Sequence, residues 1–74
     1  MSSFAERLLL MRKSKNLTQP QLANLVGMAK QTINGMEKGR FTTTLENLRL
    51  IADALDVSVD YLLCRTDNPN SHKT

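Results

Sequence analysis

Three features of this 74-residue sequence predict an all-α domain of four or five short helices. Apolar residues recur at the helical period of about 3.6. Ser, Thr, Pro and Gly stand where helices should start and stop. Only three aromatic residues, Phe4, Phe41 and Tyr61, are present. The core must therefore be built from Leu, Ile, Val, Met and Ala, which suits helix-on-helix packing better than a sandwich. A chain of this length makes one domain at most, with an economical core.

The first helix is predicted to start at Ser3-Phe4-Ala5-Glu6, whose Ser and Glu have the spacing of a capping box. Its inward stripe is Phe4, Leu8, Met11 and Arg12, and it ends around Lys15-Asn16. Thr18 and Gln21 form a second capping box, Leu17 can staple onto Leu22, and Pro20 sits in the first turn, where its missing N–H costs nothing. This second helix spans about Gln19 to Val26 and buries Leu22, Ala23 and Val26. Gly27 follows it, where a residue past a helix end often needs a positive φ. A third helix, about Lys30 to Glu37, places Ile33, Met36 and Glu37 on one face and is closed by Gly39. Two short helices joined by a short turn containing Gly form a helix-turn-helix. After a basic loop from Lys38 to Thr42, Thr43 or Thr44 caps a fourth helix with Glu46 in its first turn and Leu45, Leu48, Ile51, Ala52 and Leu55 as its buried stripe. Ser58 caps a short fifth helix ending near Leu63. The predicted domain covers residues 1–64, and residues 65–74, "RTDNPNSHKT", lack apolar periodicity and read as a structureless tail.

The charges are unevenly distributed. Residues 1–40 carry seven Lys/Arg against two acids, whereas residues 41–74 carry three against five. Such asymmetry points to a polyanionic partner facing the N-terminal half. The single Cys64 cannot form an internal disulfide and fits a reducing compartment, so a cytoplasmic protein is expected. The apolar run Leu8 to Met11 is too short for a signal-peptide core or a membrane span, so no membrane partner is expected. His72 has no second His beside it and no metal site is expected. With no nucleophile–base arrangement and no glycine-rich phosphate loop, neither a cofactor nor an enzyme activity is expected.

The pieces "LTQPQLANLVGMAKQTINGMEKG" and "TLENLRLIADALDVSVDYLL" make the chain from Phe4 to Leu63 resemble the lambdoid phage repressors, the Cro proteins and their bacterial relatives, the Xre family. The register of Leu17, Gln19, Leu22, Ala23, Gly27, Ile33, Glu37 and Gly39 carries the resemblance. It implies a compact five-helix, lambda-repressor-like bundle whose third helix enters the major groove of DNA while the second crosses the phosphate backbone. Three positions depart from the family pattern: Ala29 where Ser or Thr often caps the third helix, Thr43 where proline is common, and Gly35 where a longer DNA-contacting side chain is frequent.

With Ile33, Met36 and Glu37 inward, a rotation of roughly 100° per residue places Gln31, Gly35 and Lys38 outward, flanked by Thr32 and Asn34. Gln and Asn can bond adenine bidentately, Thr can meet a thymine methyl, and Lys30 can approach guanine or a phosphate. The expected base-reading set is Lys30, Gln31, Thr32, Asn34 and Gly35, the last by letting the helix sit deeper in the groove. Gln19 matches a family position that bonds a backbone phosphate, and the free N–H groups at its helix start favour an anion as well. Thr18, Lys38, Arg40, Arg12 and Lys13 are the further phosphate candidates. Arg12 and Glu37 both fall on inward stripes, where an isolated charge is costly, so they should pair; the resemblance implies the same ion pair.

The expected function is a sequence-specific regulator of transcription, a repressor acting as a homodimer on a palindromic double-stranded DNA operator. Val57, Val59, Tyr61 and Leu62 are the candidate dimer contact, although the same residues would also serve to close the core. Two alternatives share the fold: an antitoxin or restriction-modification controller acting on its own operon, and a protein-interaction module binding an anti-repressor or another protein effector through Leu9, Leu10 and Leu25, which fall off the inward stripes.

Overall fold

The computed structural model describes residues 3–70, and within them five helices: α1 (Phe4–Ser14), α2 (Gln19–Val26), α3 (Lys30–Glu37), α4 (Leu45–Leu55) and α5 (Val59–Leu62). Positions 71–74 of the expected tail, with His72, lie outside the described residues. Each helix begins where a side chain satisfies its otherwise orphaned N–H groups, except α3, whose N-cap Ala29 has none to offer. Ser3, Thr18, Thr44 and Ser58 each accept from the backbone N–H three residues on, and Gln21 completes the box on Thr18. Gly27 ends α2 at φ +70° with open space around it, so the left-handed backbone, not crowding, requires glycine there.

α2 packs on α3 and α4, α1 packs on α3 and α5, and α5 closes against α4. Leu8, Leu22, Ile33, Met36, Ile51, Leu55 and Leu62 are fully buried, and Phe4, Met11, Leu17 and Val59 pack partly buried around them. The stripe expected for α4 is corrected at one position: Leu45, the first residue of the helix next to the N-cap Thr44, is exposed, and burial along α4 begins at Leu48. Val57, Tyr61 and Leu62 are buried in the core, which removes them as a dimer contact and leaves only Val59 of that set partly accessible. Among the described residues no helix is long and apolar enough to cross a membrane.

Two arginines of α1 are buried, and each fastens one end of the bundle. Arg12 donates from Nε to Glu37 Oε2 at 2.5 Å, from Nη2 to Glu37 Oε1 at 3.0 Å and from Nη1 to the Leu17 carbonyl at 2.7 Å. The two side chains are 9% and 3% exposed, so a bidentate, charge-assisted pair ties α1 to α3 out of water. The bond to Glu37 holds the Arg12 guanidinium above its ordinary range, against the opposing effect of burial.

Arg7, which the apolar pattern does not place inward, lies with its guanidinium 4.3 Å from the centre of the Tyr61 ring. It donates to the carbonyls of Tyr61 at 2.9 Å and Thr66 at 2.5 Å and to Asp67 Oδ1 at 2.6 Å. The Ser58 N–H donates to the Pro69 carbonyl at 2.7 Å. Residues 66–69 are therefore laid against the body of the fold, which corrects the expectation of a structureless tail over that stretch: the Thr66 and Pro69 carbonyls and the Asp67 carboxylate, not apolar side chains, hold it.

Glu37→Ala strands a buried guanidinium and is expected to cost about 3–5 kcal/mol, read as a large fall in melting temperature; an unchanged melting temperature would refute the pair's structural role. Arg7→Ala is expected to speed amide exchange at Ser58, whose N–H donates to the Pro69 carbonyl, while α2 and α3 keep their protection.

Candidate nucleic-acid interface

The outward surface of α3 is built on the Arg12–Glu37 pair. Glu37 is acceptor-only, so the Gln19 side chain must present its NH2 to it, and Gln19 Nε2 donates to Glu37 Oε1 at 3.0 Å. That orientation turns Gln19 Oε1 toward α3, where it accepts from Asn34 Nδ2 at 3.3 Å. A hydrogen-bonded chain thus runs from Arg12 through Glu37 and Gln19 to Asn34, joining α1, α2 and α3 and setting the angle between the last two. Gln19 and Asn34 are half-buried in this chain and each retains free amide capacity.

Around them, Lys30 and Gln31 are exposed and Thr32 is half-buried in the first turn of α3. Lys38 and Arg40 are exposed at its far end, Lys13 is exposed on α1, and Thr18 is exposed at the cap of α2. The surface is polar at its centre and cationic at its margins. Pro20 has no N–H and the Gln21 N–H is taken by Thr18 at 3.2 Å, so in the first turn of α2 the Gln19 N–H is the group open to an anion.

Two of the expected contacts are corrected. Arg12 is buried with Nε and both terminal nitrogens engaged inside the fold, so it is not a phosphate ligand. Gly35 is buried although it lies on the outward line of α3, because the Phe41 ring rests on it. A Cβ at position 35 would overlap ring carbons Cε1 and Cζ of Phe41. The loop is folded back by the Arg40 N–H donating to the Gly35 carbonyl at 3.0 Å and by Gly39 at φ +75°. Phe41 itself remains 47% exposed. Sequence reasoning missed it, and the signal was a glycine, costly in mid-helix by about 1 kcal/mol, shortly before a lone aromatic in a basic loop.

Residues 8–62 match the family model described as Helix-turn-helix. The chain belongs to the helix-turn-helix family. Among its relatives in that family is the uncharacterized HTH-type transcriptional regulator YobD of Bacillus subtilis, 40% identical over 67 residues that make up 90% of this chain and 60% of YobD. The cryptic phage CTXphi transcriptional repressor RstR of Vibrio cholerae is 43% identical over 60 residues, 81% of this chain and 54% of RstR. This chain thus spans somewhat over half the length of these curated relatives. Among solved structures, the P22 c2 repressor protein in complex with synthetic operator 9T superposes with a TM-score of 0.82 at 32% identity, covering 85% of this chain and 96% of that one.

Gly35→Ala gains about 1 kcal/mol of helix propensity but evicts the tip of the Phe41 side chain, which is free to swing outward. The expected result is a melting temperature close to the parent's, with loss of the nuclear Overhauser contacts between the Phe41 ring and the α3 backbone. Retention of those contacts would contradict the packing described.

Proposed function

We propose that this helix-turn-helix chain is a sequence-specific, double-stranded DNA-binding regulator of transcription, a repressor acting as a homodimer on a two-fold operator. The observation that carries the proposal is the hydrogen-bonded chain Arg12–Glu37–Gln19–Asn34, which holds a polar face of α3 rigidly at a set angle to the start of α2. A recognition surface needs such preorganisation, because each side chain ordered only on binding subtracts from affinity. The repressor names and the operator complex among the relatives support the same reading.

In this reading α3 enters the major groove and α2 crosses the backbone. Gln31, exposed in the first turn, bonds an adenine edge through both amide atoms. Thr32 meets a neighbouring base or a thymine methyl, Asn34 uses its remaining amide capacity on a base, and Lys30 reaches guanine or a phosphate. Gln19 and Thr18 hold one phosphate at the start of α2, while Lys13, Lys38 and Arg40 neutralise others along the duplex. The two-fold arrangement follows from size: one small module buries limited DNA surface, and joining two half-sites raises affinity without new contacts. The role is binding without chemistry of its own, exercised in the cytoplasm. Among the described residues no group of three or more His, Cys, Asp or Glu stands together to hold a metal ion.

Selection of bound sites from random DNA is expected to yield a palindromic consensus with half-sites about one helical turn apart, and a pool without consensus would overturn the proposal. On the selected site, Gln31→Ala should relax preference at one base pair by about 1–3 kcal/mol and leave non-specific binding nearly intact. An equal loss on every sequence would remove Gln31 from the reading role.

A further inference from the structure

Phe41 occupies a place the other exposed apolar residues do not. Its ring lies on the outward line of α3, beyond Gln31, over a residue whose missing side chain makes the seat possible. The loop that carries it is fastened to α3 by three backbone bonds, Lys38 N–H to the Asn34 carbonyl at 3.0 Å, Gly39 N–H to the Met36 carbonyl at 3.1 Å and Arg40 N–H to the Gly35 carbonyl at 3.0 Å. The ring meets α3 through its Cε1 and Cζ atoms at Gly35 yet stays 47% exposed, at the end of a loop that also carries the exposed cations Lys38 and Arg40. An apolar group among cations on a surface that meets a polyanion has few matching partners there. In the major groove, the one apolar feature of the base edges is the C5 methyl of thymine.

We propose that Phe41, seated on Gly35, is a specificity-determining residue that packs the exposed part of its ring against a thymine C5 methyl in the half-site. This rests on the reading of α3 as the groove-entering helix. A side chain at position 35 would have read the groove directly. Here glycine gives up that contact and an aromatic from the following loop takes over the space, so the outer part of the half-site is read by apolar fit instead of hydrogen bonds. The ring is already held on α3 in the free protein, so little ordering is lost on contact.

The test replaces each thymine of one half-site of the selected consensus, in turn, by deoxyuridine, which removes only the methyl group. With the parent protein one position is expected to weaken binding about fourfold, the value of one buried methyl-sized group. With Phe41→Ala, and with Gly35→Ala, which keeps the phenylalanine but unseats it, that penalty should vanish while the base preference set by Gln31 persists. Thermal melting of both variants establishes that they are folded. A penalty that survives in Phe41→Ala belongs to another residue, such as Thr32, and overturns the proposal, as does a consensus in which no thymine is methyl-sensitive. Uniform weakening of all DNAs by Phe41→Ala would mark a sugar or backbone contact and also overturns it. In each of these cases the consensus itself still stands, and with it the DNA-reading role of α3; absence of any consensus would remove both.

Discussion

The Arg12–Glu37 ion pair is the constraint on which the arrangement of this protein depends. Taking both charges out of water is expensive, and their attraction offsets that cost only when the remaining donors and acceptors are also satisfied. Here they are: the guanidinium uses its third nitrogen on the Leu17 carbonyl, and Glu37 accepts additionally from Gln19. Among the described residues no buried side-chain nitrogen or oxygen lacks a partner. A pair of well-packed apolar residues could hold α1 to α3 as firmly. It would not orient the Gln19 amide, and through it Asn34, so the ionic solution specifies direction where an apolar one would supply only cohesion.

The second buried arginine uses the same chemistry at the opposite end. Arg7 gathers the Tyr61 ring, two backbone carbonyls and the Asp67 carboxylate, and so determines the path of the chain after α5. Its bond to Asp67 holds the guanidinium above its ordinary range despite desolvation. The two arginines of α1 thereby divide the work: Arg12 organises the contact of α1 with α2 and α3, and Arg7 the contact with α5 and the residues after it. Between them lies a core of aliphatic side chains together with Met36 and Tyr61.

The α3 surface presents two kinds of chemistry. Gln31, Thr32 and Asn34 offer amides and a hydroxyl, which are directional, and the loop after α3 lays an aromatic ring over Gly35, which offers shape. The exchange is made possible by Gly35, a residue that weakens the helix locally and is compensated by the ring it admits. Helix propensity, loop geometry and surface chemistry are linked at that single position.

Local chemistry determined the helices. α2 and α3 lie where the caps and apolar period place them, because Thr18 with Gln21, Pro20 and Gly27 act within a few residues of themselves. The rotation of α3 was legible for the same reason: Ile33 and Met36 inward leave Gln31 outward. What needed the tertiary structure were contacts between distant positions. An inward-facing Arg12 reads equally as a phosphate ligand or as half of a pair until Glu37 is found beside it. An apolar stripe such as Val57, Tyr61 and Leu62 has the same pattern whether it meets α1 and α4 or a second subunit. Arg7 carries no local sign of burial, since its partners lie 54 to 60 residues away and two of them are backbone carbonyls. The ring on Gly35 depends on how a loop folds back, which no periodicity encodes. Short-range hydrogen bonding and hydrophobic period thus decided what the elements are, and only packing decided which charges are hidden and which ring covers Gly35.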